Sequence, residues 1–151
     1  MTKPVCPHDG TAMHRDTRPL TLTYKGVTAT APGVPGWYCK KCDEAIFDPK
    51  DAQKVSRIMN SLRAGIFGLF KPEEIRRIRK NLGLSQEKAG LLIGGGPRAF
   101  QKYESGDLLP SQGVNNLLKV LDHSPAELAV LEADFRKKAH KFYGGDDRPS
   151  A

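Results

Sequence analysis

Three cysteines and one aspartate stand where a metal site would need its ligands. Cys6 opens the turn CPHDG, whose second ligand position holds Asp9, and Cys39 and Cys42 form an intact CxxC pair in WYCKKCDE further along the chain. Thiolates and carboxylates close a tetrahedron around zinc and stabilise a domain that is too small to fold alone. We therefore predict a structural zinc site with the ligands Cys6, Asp9, Cys39 and Cys42.

Residues other than Asp9 could supply the fourth metal ligand. A carboxylate is a less frequent structural zinc ligand than histidine, and His8 and His14 are both near Asp9 in the sequence. His8 is chemically the better donor, but in a CPxx turn its side chain would tend to point away from the metal. The alternative is a decayed site, in which the three cysteines are small buried apolar residues packed with nearby aromatic side chains.

The composition indicates a globular chain of small domains and the kind of compartment in which these thiols lie. The chain has 151 residues with 15 glycines and 11 prolines, which favours two small domains over one large one. No apolar run approaches the roughly 20 residues of a membrane span, and the N-terminus carries no secretion signal. We expect a cytoplasmic protein, where cysteines stay reduced and paired thiols bind metal.

The net charge of the chain is +7, from 24 lysines and arginines against 17 aspartates and glutamates. Such a balance favours a polyanionic partner where the charge is clustered. One cluster, RRIRK at residues 76–80, lies in a stretch, residues 73–104, that holds seven basic and four acidic residues. A second, at residues 136–143, is either a solvated helix end or an extension of a DNA footprint. No nucleophile and base are spaced as a catalytic pair, so we predict that the protein is not an enzyme.

The first part of the chain, residues 1–66, is predicted to be a β-rich domain that ends in a linker helix. Residues 20–31 alternate apolar and polar side chains around a central Lys-Gly pair, which predicts two short strands joined by a tight turn. The proline- and glycine-rich residues 31–36 are expected to break the chain before the CxxC pair. From Pro49, apolar residues recur every three or four positions, which predicts an amphipathic helix between two domains.

The second part, residues 67–143, is predicted to form five short helices. Ser85 is placed to cap the second of them, while Pro97 and Gly106 mark the start and the end of the third. The turns between them are only a few residues long, so these helices should make a compact all-α domain. The final residues, 144–151, are polar and are predicted to be disordered. The predicted fold class is therefore α+β with two domains.

Two of these helices, within residues 84–106, have the pattern of a helix-turn-helix: an apolar-faced helix, a glycine turn and a second amphipathic helix. The outer face of the second helix carries Arg98, Gln101 and Lys102. Arginine and lysine bond guanine edges, and glutamine bonds adenine or a phosphate. Gln86, at the start of the preceding helix, is placed to hold a phosphate together with the helix N-terminus. The alternative is a helical bundle with a solvated polar face.

The sequence of this segment resembles the Xre-like helix-turn-helix. That family's L-[ST]-Q-x-x-A start is matched by LSQEKA at residues 84–89, and its Y-E-x-G-x-x-x-P ending by YESGDLLP at residues 103–110. The triple glycine of GGGPRAFQKYESG after a CxxC domain further resembles the MqsA (YgiT-type) antitoxin family, and this resemblance covers nearly the whole chain. It implies a small zinc-binding domain followed by a lambda-repressor-like helix-turn-helix domain.

The resemblance also implies the function of a bacterial type II antitoxin. In that family the N-terminal domain binds and neutralises an mRNA-cleaving toxin, and the C-terminal domain dimerises and binds a palindromic operator to repress its own operon. The family's base-reading asparagine and arginine are replaced here by Arg98 and Lys102, so the mode is expected to persist with a different preferred sequence. A family phosphate contact matches Arg63. With Gln86 and Gln101, these residues complete the predicted DNA-binding set.

The C-terminal helices are the predicted dimer surface, because they carry more apolar residues than a small helix-turn-helix obviously needs for its core. These residues are Leu117, Leu118, Val120, Leu121, Leu128, Val130 and Leu131. Part of this set is expected to be core all the same.

A second function fits the same architecture. The chain would then be a stand-alone Xre-family transcriptional regulator whose N-terminal domain senses metal, redox state or another protein. A short adjacent reading frame for a small basic RNase-like protein would favour the antitoxin over the regulator.

Overall fold

The computed structural model describes residues 2–143, with side chains as far as Lys138. The chain divides into two compact units between Gly68 and Leu69. Among the described residues, the first unit holds a three-stranded antiparallel sheet and one helix, and the second holds five α-helices. The predicted mixture of strands and helices is confirmed, and the predicted disorder of residues 144–151 lies outside the described residues. Within the described residues, no helix has the length and apolar character needed to cross a membrane.

A long β-hairpin organises the first unit. Strand β1 (His14–Tyr24) pairs antiparallel with β2 (Val27–Tyr38), and the end of β2 pairs with β3 (Ala45–Ile46). The turn is formed by Lys25 and Gly26, whose φ angles are 47° and 77°. Positive φ at both central residues is what the tightest hairpin turns require. The predicted turn is confirmed, but the strands are longer than expected.

The prediction that residues 31–36 break the chain is wrong, because β2 runs through them. The register shifts between Arg18, which pairs with Val34, and Leu20, which pairs with Ala31. Two residues of β2 therefore stand opposite one residue of β1, which is a β-bulge, and proline is tolerated in a strand at such a position. Ala31 and Val34 are both buried. The bulge thus keeps both apolar residues on the covered face of the sheet.

Helix α1 (Pro49–Phe67) packs on the hairpin and begins at the predicted residue. A proline occupies its first turn, and Gly68 ends it in the left-handed conformation, the usual asymmetry of helix ends. Its beginning is tied to the hairpin by Arg15, whose guanidinium donates to Asp48 at 2.8 Å and to Asp51 at 3.2 Å. This contact fixes the helix against the sheet that leads into the CxxC pair, Cys39 and Cys42.

The second unit is built from short helices around one apolar core. They are α2 (Pro72–Asn81), α3 (Gln86–Ile93), α4 (Ala99–Ser105), α5 (Gln112–His123) and, after a 3-10 turn (Pro125–Glu127), α6 (Leu128–Tyr143). Phe100 and Leu118 are fully buried in the core. The hydroxyls of Ser85 and Ser111 accept backbone N–H groups and cap α3 and α5. The predicted helices are confirmed, although α4 begins just after Pro97 and not at it.

Three leucines from the predicted dimer surface belong to this core instead. Leu118, Leu121 and Leu128 are buried inside the unit, because successive turns of α5 and the start of α6 direct them inward. Val120 and Val130 are 53% and 63% exposed. Leu117 and Leu131 are partly buried against the same core, so Val120 and Val130 are the members of the predicted set that are most accessible to a partner.

Candidate metal centre and nucleic-acid interface

The predicted metal ligands are presented by two tight loops of the first unit. The first loop carries Cys6, whose backbone N–H donates to the carbonyl oxygen of Thr11 at 2.8 Å. The second loop joins β2 to β3 and is closed by the N–H of Cys39, which donates to the carbonyl oxygen of Glu44 at 3.1 Å. Both loops are therefore held by their own backbones, and both direct their donor side chains to one place.

Cys6, Asp9, Cys39 and Cys42 form one cluster, in which all four donor atoms lie within 4.8 Å of one another. The Sγ atoms of Cys6 and Cys42 are 3.6 Å apart, and the Sγ of Cys39 is 3.8 Å from an oxygen of Asp9. A tetrahedron with metal–sulfur bonds of about 2.3 Å has edges of about 3.8 Å. The spacing fits a tetrahedral ion, so this cluster could hold a metal.

Asp9 is oriented for this position by its own loop. The backbone N–H of Thr11 donates to Oδ1 of Asp9 at 2.8 Å. This hydrogen bond is the main reason that the pKa of Asp9 lies below its ordinary value. Carboxylates that bind metals are commonly fixed by a hydrogen bond of this kind. One carboxylate oxygen is thus engaged by the backbone, and the other remains for an ion.

Neither histidine near the turn joins the cluster. The side chain of His8 is exposed. His14 lies at the start of β1, where its Nε2 is 3.2 Å from the guanidinium of Arg18 and 3.7 Å from an oxygen of Asp16. The structure therefore places Asp9, and not a histidine, beside the three thiols.

The thiols of the cluster differ in how readily they ionise. The backbone N–H of Lys41 donates to the Sγ of Cys39 at 3.4 Å and lowers the pKa of Cys39. A backbone hydrogen bond from Glu44 lowers the pKa of Cys42, but burial and the two neighbouring thiols outweigh it and raise that pKa to about 11. Cys42 is therefore protonated at neutral pH until a cation displaces its proton.

The predicted helix-turn-helix segment consists of α3, a glycine turn and α4. Both helices bury one face in the same core, with Ala89 and Phe100 almost completely covered. Gly94, Gly95 and Gly96 have φ angles of 134°, 95° and 95°. Residues with a Cβ atom rarely adopt such angles, so this turn requires glycine at all three positions.

The exposed face of α4 presents three of the predicted DNA contacts together. Arg98 is the N-cap residue, and Gln101 and Lys102 follow one turn later. All three side chains are exposed, and their three- and four-residue spacing places them on one side of the helix. Gln86 is the first residue of α3 and is partly exposed. Their donors suit phosphate oxygens and base edges.

Arg63, the fifth predicted DNA contact, lies in α1 of the first unit. Its guanidinium lies over the ring of Tyr24, 5.3 Å from the centroid, and its Nε has no hydrogen-bond partner within the described residues. At the hairpin turn, the Nζ of Lys25 lies 4.9 Å from the ring centroid of Phe67. Two cations therefore stack on two aromatic rings. This cluster was not predicted from the sequence, because its members are distant in the chain.

A buried ion pair that the sequence analysis missed connects α2 to α4. The Nε and one terminal nitrogen of Arg79 each donate to a carboxylate oxygen of Glu104 at 2.8 Å, and the other nitrogen donates to the carbonyl oxygen of Leu84 at 2.9 Å. The two charged side chains are 11% and 5% exposed. Arg79 shares the inward face of α2 with Ile75 and Ile78. Its position in the helical repeat of these apolar residues is the signal that could have identified Arg79 as a buried residue.

Arg79→Met is expected to lower the free energy of unfolding of the second unit by about 3 kcal/mol, because it leaves the buried carboxylate of Glu104 without a cation. Denaturant unfolding followed by helical circular dichroism measures the change. The matched control is Arg77→Met, since Arg77 forms the same two-bonded pair with Asp122, at 2.9 and 3.0 Å, but at the surface. The control should lose far less. Equal losses would contradict a special role for the buried pair.

These features define a chain with a cluster that could hold a metal on a β unit and a helical unit with an exposed polar helix. Residues 1–132 match the model of a family described as the antitoxin component of a bacterial toxin–antitoxin system, MqsA. The chain is also similar to Antitoxin MqsA of Escherichia coli (strain K12), with 33% identity over 126 residues that cover 83% of this chain and 95% of that relative. The chain belongs to the MqsA antitoxin family, which is not a family of enzymes.

Proposed function

We propose that this chain neutralises an mRNA-cleaving toxin through its first unit and represses its own operon through its second unit, as a dimer on a palindromic operator. The observation that carries the proposal is the family match over residues 1–132, which includes the metal cluster and the glycine turn with α4. Both activities belong to the cytoplasm of a bacterium, where the operon is transcribed.

In this proposal, α3, the glycine turn and α4 are a helix-turn-helix, and α4 is the helix that reads bases. Its inner face is fixed in the core, which leaves Arg98, Gln101 and Lys102 toward the major groove. Arg98 and Lys102 suit guanine, and Gln101 suits adenine or a phosphate. Gln86 and Arg63 are proposed as phosphate contacts, which position the protein on the duplex without reading its sequence.

A dimer would place two copies of α4 on the two halves of a palindrome, about 34 Å apart, which is one turn of DNA. Val120 and Val130 support this arrangement, because both are more than half exposed, whereas Leu118, Leu121 and Leu128 are buried. Exposed apolar residues on adjacent elements are typical of contact surfaces. The proposed dimer surface is therefore smaller than the set of residues predicted from the sequence.

Zinc is the metal that we propose for the cluster. Three thiolates and one carboxylate match its ligand preference, and four protein donors leave no open position for a substrate. Cys6 and Asp9 would hold the ion from the first loop, and Cys39 and Cys42 from the second. The ion would supply a cross-link between the loops and no catalytic chemistry. Its role is to stabilise the unit that binds the toxin.

Arg98→Ala is expected to weaken binding to a DNA fragment from the promoter of the chain's own operon by about 10- to 100-fold, because it removes a base-edge contact. Gel-shift titration at fixed salt measures this affinity. Lys119→Ala is the matched control, since it removes one exposed positive charge from α5 and should change binding little. Unchanged affinity of the Arg98 variant would show that α4 does not read bases.

The toxin-binding part of the proposal is tested separately. The chain is expressed together with any short reading frame found adjacent to its own and purified through a salt wash that strips DNA, because phosphate contacts weaken steeply with salt. An antitoxin keeps its partner through this wash and suppresses its RNase activity. A chain that loses the partner and still binds the promoter would be a stand-alone regulator.

A further inference from the structure

The last helix continues beyond the part of the chain that matches the family. The match ends at residue 132, whereas α6 runs to Tyr143, and the similarity to the Escherichia coli relative already covers 95% of that protein. The start of α6 is anchored, because Leu128 is buried in the core of the second unit and Leu131 packs against it. The following residues, 133–143, form what we term the basic extension.

The basic extension is strongly charged and poorly neutralised. Its sequence, ADFRKKAHKFY, holds four lysines and arginines and one aspartate. The side chains of Arg136, Lys137 and Lys138 are all exposed. Lys138 pairs with Asp134 at 2.8 Å, but both of these side chains are more than half exposed, so the pair is weak. Within the described part of the chain, Arg136 and Lys137 have no ion pair.

We propose that the basic extension contacts DNA phosphates beside the operator and lengthens the footprint of the protein. The proposal rests on the DNA binding proposed above for the second unit. Arg136, Lys137 and Lys138 are consecutive, so they point to different sides of the helix and do not form one patterned face. Such an arrangement suits phosphates, which offer charge on a broad surface and carry no base sequence.

The anchoring of α6 strengthens this contact. Its beginning packs against α3 and the core that also holds α4, so the extension belongs to the same unit as the proposed reading helix. Once α4 holds the duplex, the extension meets phosphates at a high effective concentration and needs little affinity of its own. Each lysine or arginine that reaches a phosphate releases condensed counterions, which makes the contribution depend on salt.

The side chains of the extension favour DNA over a protein partner. Protein interfaces are depleted in lysine and depend on buried apolar or aromatic anchors. Phe135 is the single large apolar side chain described in the extension, and it is 37% exposed. Three basic residues follow it directly. A polyanion therefore matches the chemistry of this segment better than the surface of a toxin.

The test compares two triple variants that remove equal charge. One carries Arg136→Gln, Lys137→Gln and Lys138→Gln, and the other carries Lys3→Gln, Lys40→Gln and Lys50→Gln, which are exposed positions in the first unit. Affinity for the promoter fragment is measured by fluorescence anisotropy from about 50 to about 200 mM salt. The slope of log affinity against log salt should fall by about 2 for the first variant and little for the second.

At the lowest salt, the extension variant should bind about 10- to 100-fold more weakly. It should keep the wild-type ratio between operator and unrelated DNA, because no base contact is lost. An unchanged salt slope in this variant would overturn the proposal, whatever its affinity. Normal DNA binding combined with loss of the toxin would overturn it too, in favour of a protein contact. A wild-type chain that binds no duplex DNA would instead refute the proposed function, so the two failures are distinct.

Discussion

Gly90→Ala is expected to lower the free energy of unfolding of the second unit by about 3 kcal/mol or more. A Cβ atom at this position would overlap the carbonyl oxygen of Gly96. That oxygen cannot easily move, because it accepts the N–H of Ala99 at 3.2 Å while the N–H of Gly96 donates to the carbonyl oxygen of Gly90, also at 3.2 Å. The methyl group would therefore force α3 and the turn apart and displace α4.

Gly113→Ala is the matched control for this substitution. Gly113 lies in α5, and a Cβ atom there would approach only the hydroxyl of Ser111, at 3.9 Å. Because alanine costs less backbone entropy in a helix than glycine, this variant should keep its stability or gain up to about 1 kcal/mol. Both variants are unfolded in denaturant and followed by helical circular dichroism. A Gly90 variant as stable as the wild type would show that the close packing of α3 against the glycine turn is not needed to fix α4.

The helices could be predicted from the sequence because their signals are local. Apolar residues at three- and four-residue spacing and a proline in the first turn predict α1 with the start that the structure has. The same holds for Ser85, which caps α3, and for Gly106, which ends α4. Helix hydrogen bonds join residues four apart, so the information that forms a helix lies within it.

The hairpin shows why strands were harder to predict. The proline-rich residues 31–36 suggest a break, yet they pair with β1 through a bulge opposite Pro19. Whether a proline breaks a strand depends on the register of its partner, and the partner lies on the other side of the turn. The core residues of α5 are a different case, because the helical repeat places Val120 about 200° around the axis from the buried Leu118.

The cluster of candidate metal ligands could be predicted because turns fix their spacing, but the groups that support them could not. The hydrogen bond from Thr11 that orients Asp9 becomes visible only when the loop is folded. The ion pair between Arg79 and Glu104 joins residues of two helices and required the packing of α2 against α4. Residues that do chemistry have recognisable types, whereas the residues that position them are recognised by their contacts.

Removal of the zinc that we propose for the cluster is expected to unfold the first unit and leave the second folded. The cluster of buried side chains around the site consists of Cys6, Met13 and Cys39, so two of its three members are proposed ligands. Without an ion, too little apolar surface remains to hold the two loops together, as in other small metal-stapled domains. Chelation, metal analysis and limited proteolysis together test this, and Cys39→Ser should reproduce the metal-free behaviour.

Substitutions of Asp9 separate its charge from its shape. Asp9→Asn keeps an oxygen that can accept the N–H of Thr11 but removes the negative charge, whereas Asp9→Cys supplies a fourth thiolate. Resistance to a competing chelator should therefore increase from asparagine to aspartate to cysteine, with steps on the order of tenfold or more. Equal resistance in all three proteins would show that Asp9 is not a ligand and that the three thiols hold the ion without it.

Proton release gives a direct test of whether the thiols bind the ion. Because the pKa of Cys42 is about 11 without metal, this thiol is protonated at pH 7, and zinc can bind it only by displacing the proton. Zinc added to the stripped protein should therefore acidify a weakly buffered solution, and the affinity should fall as the pH falls, since protons and metal compete for the same sulfurs. If zinc releases no protons and the stripped first unit still resists proteolysis, the cysteines are core residues and the site has no structural metal.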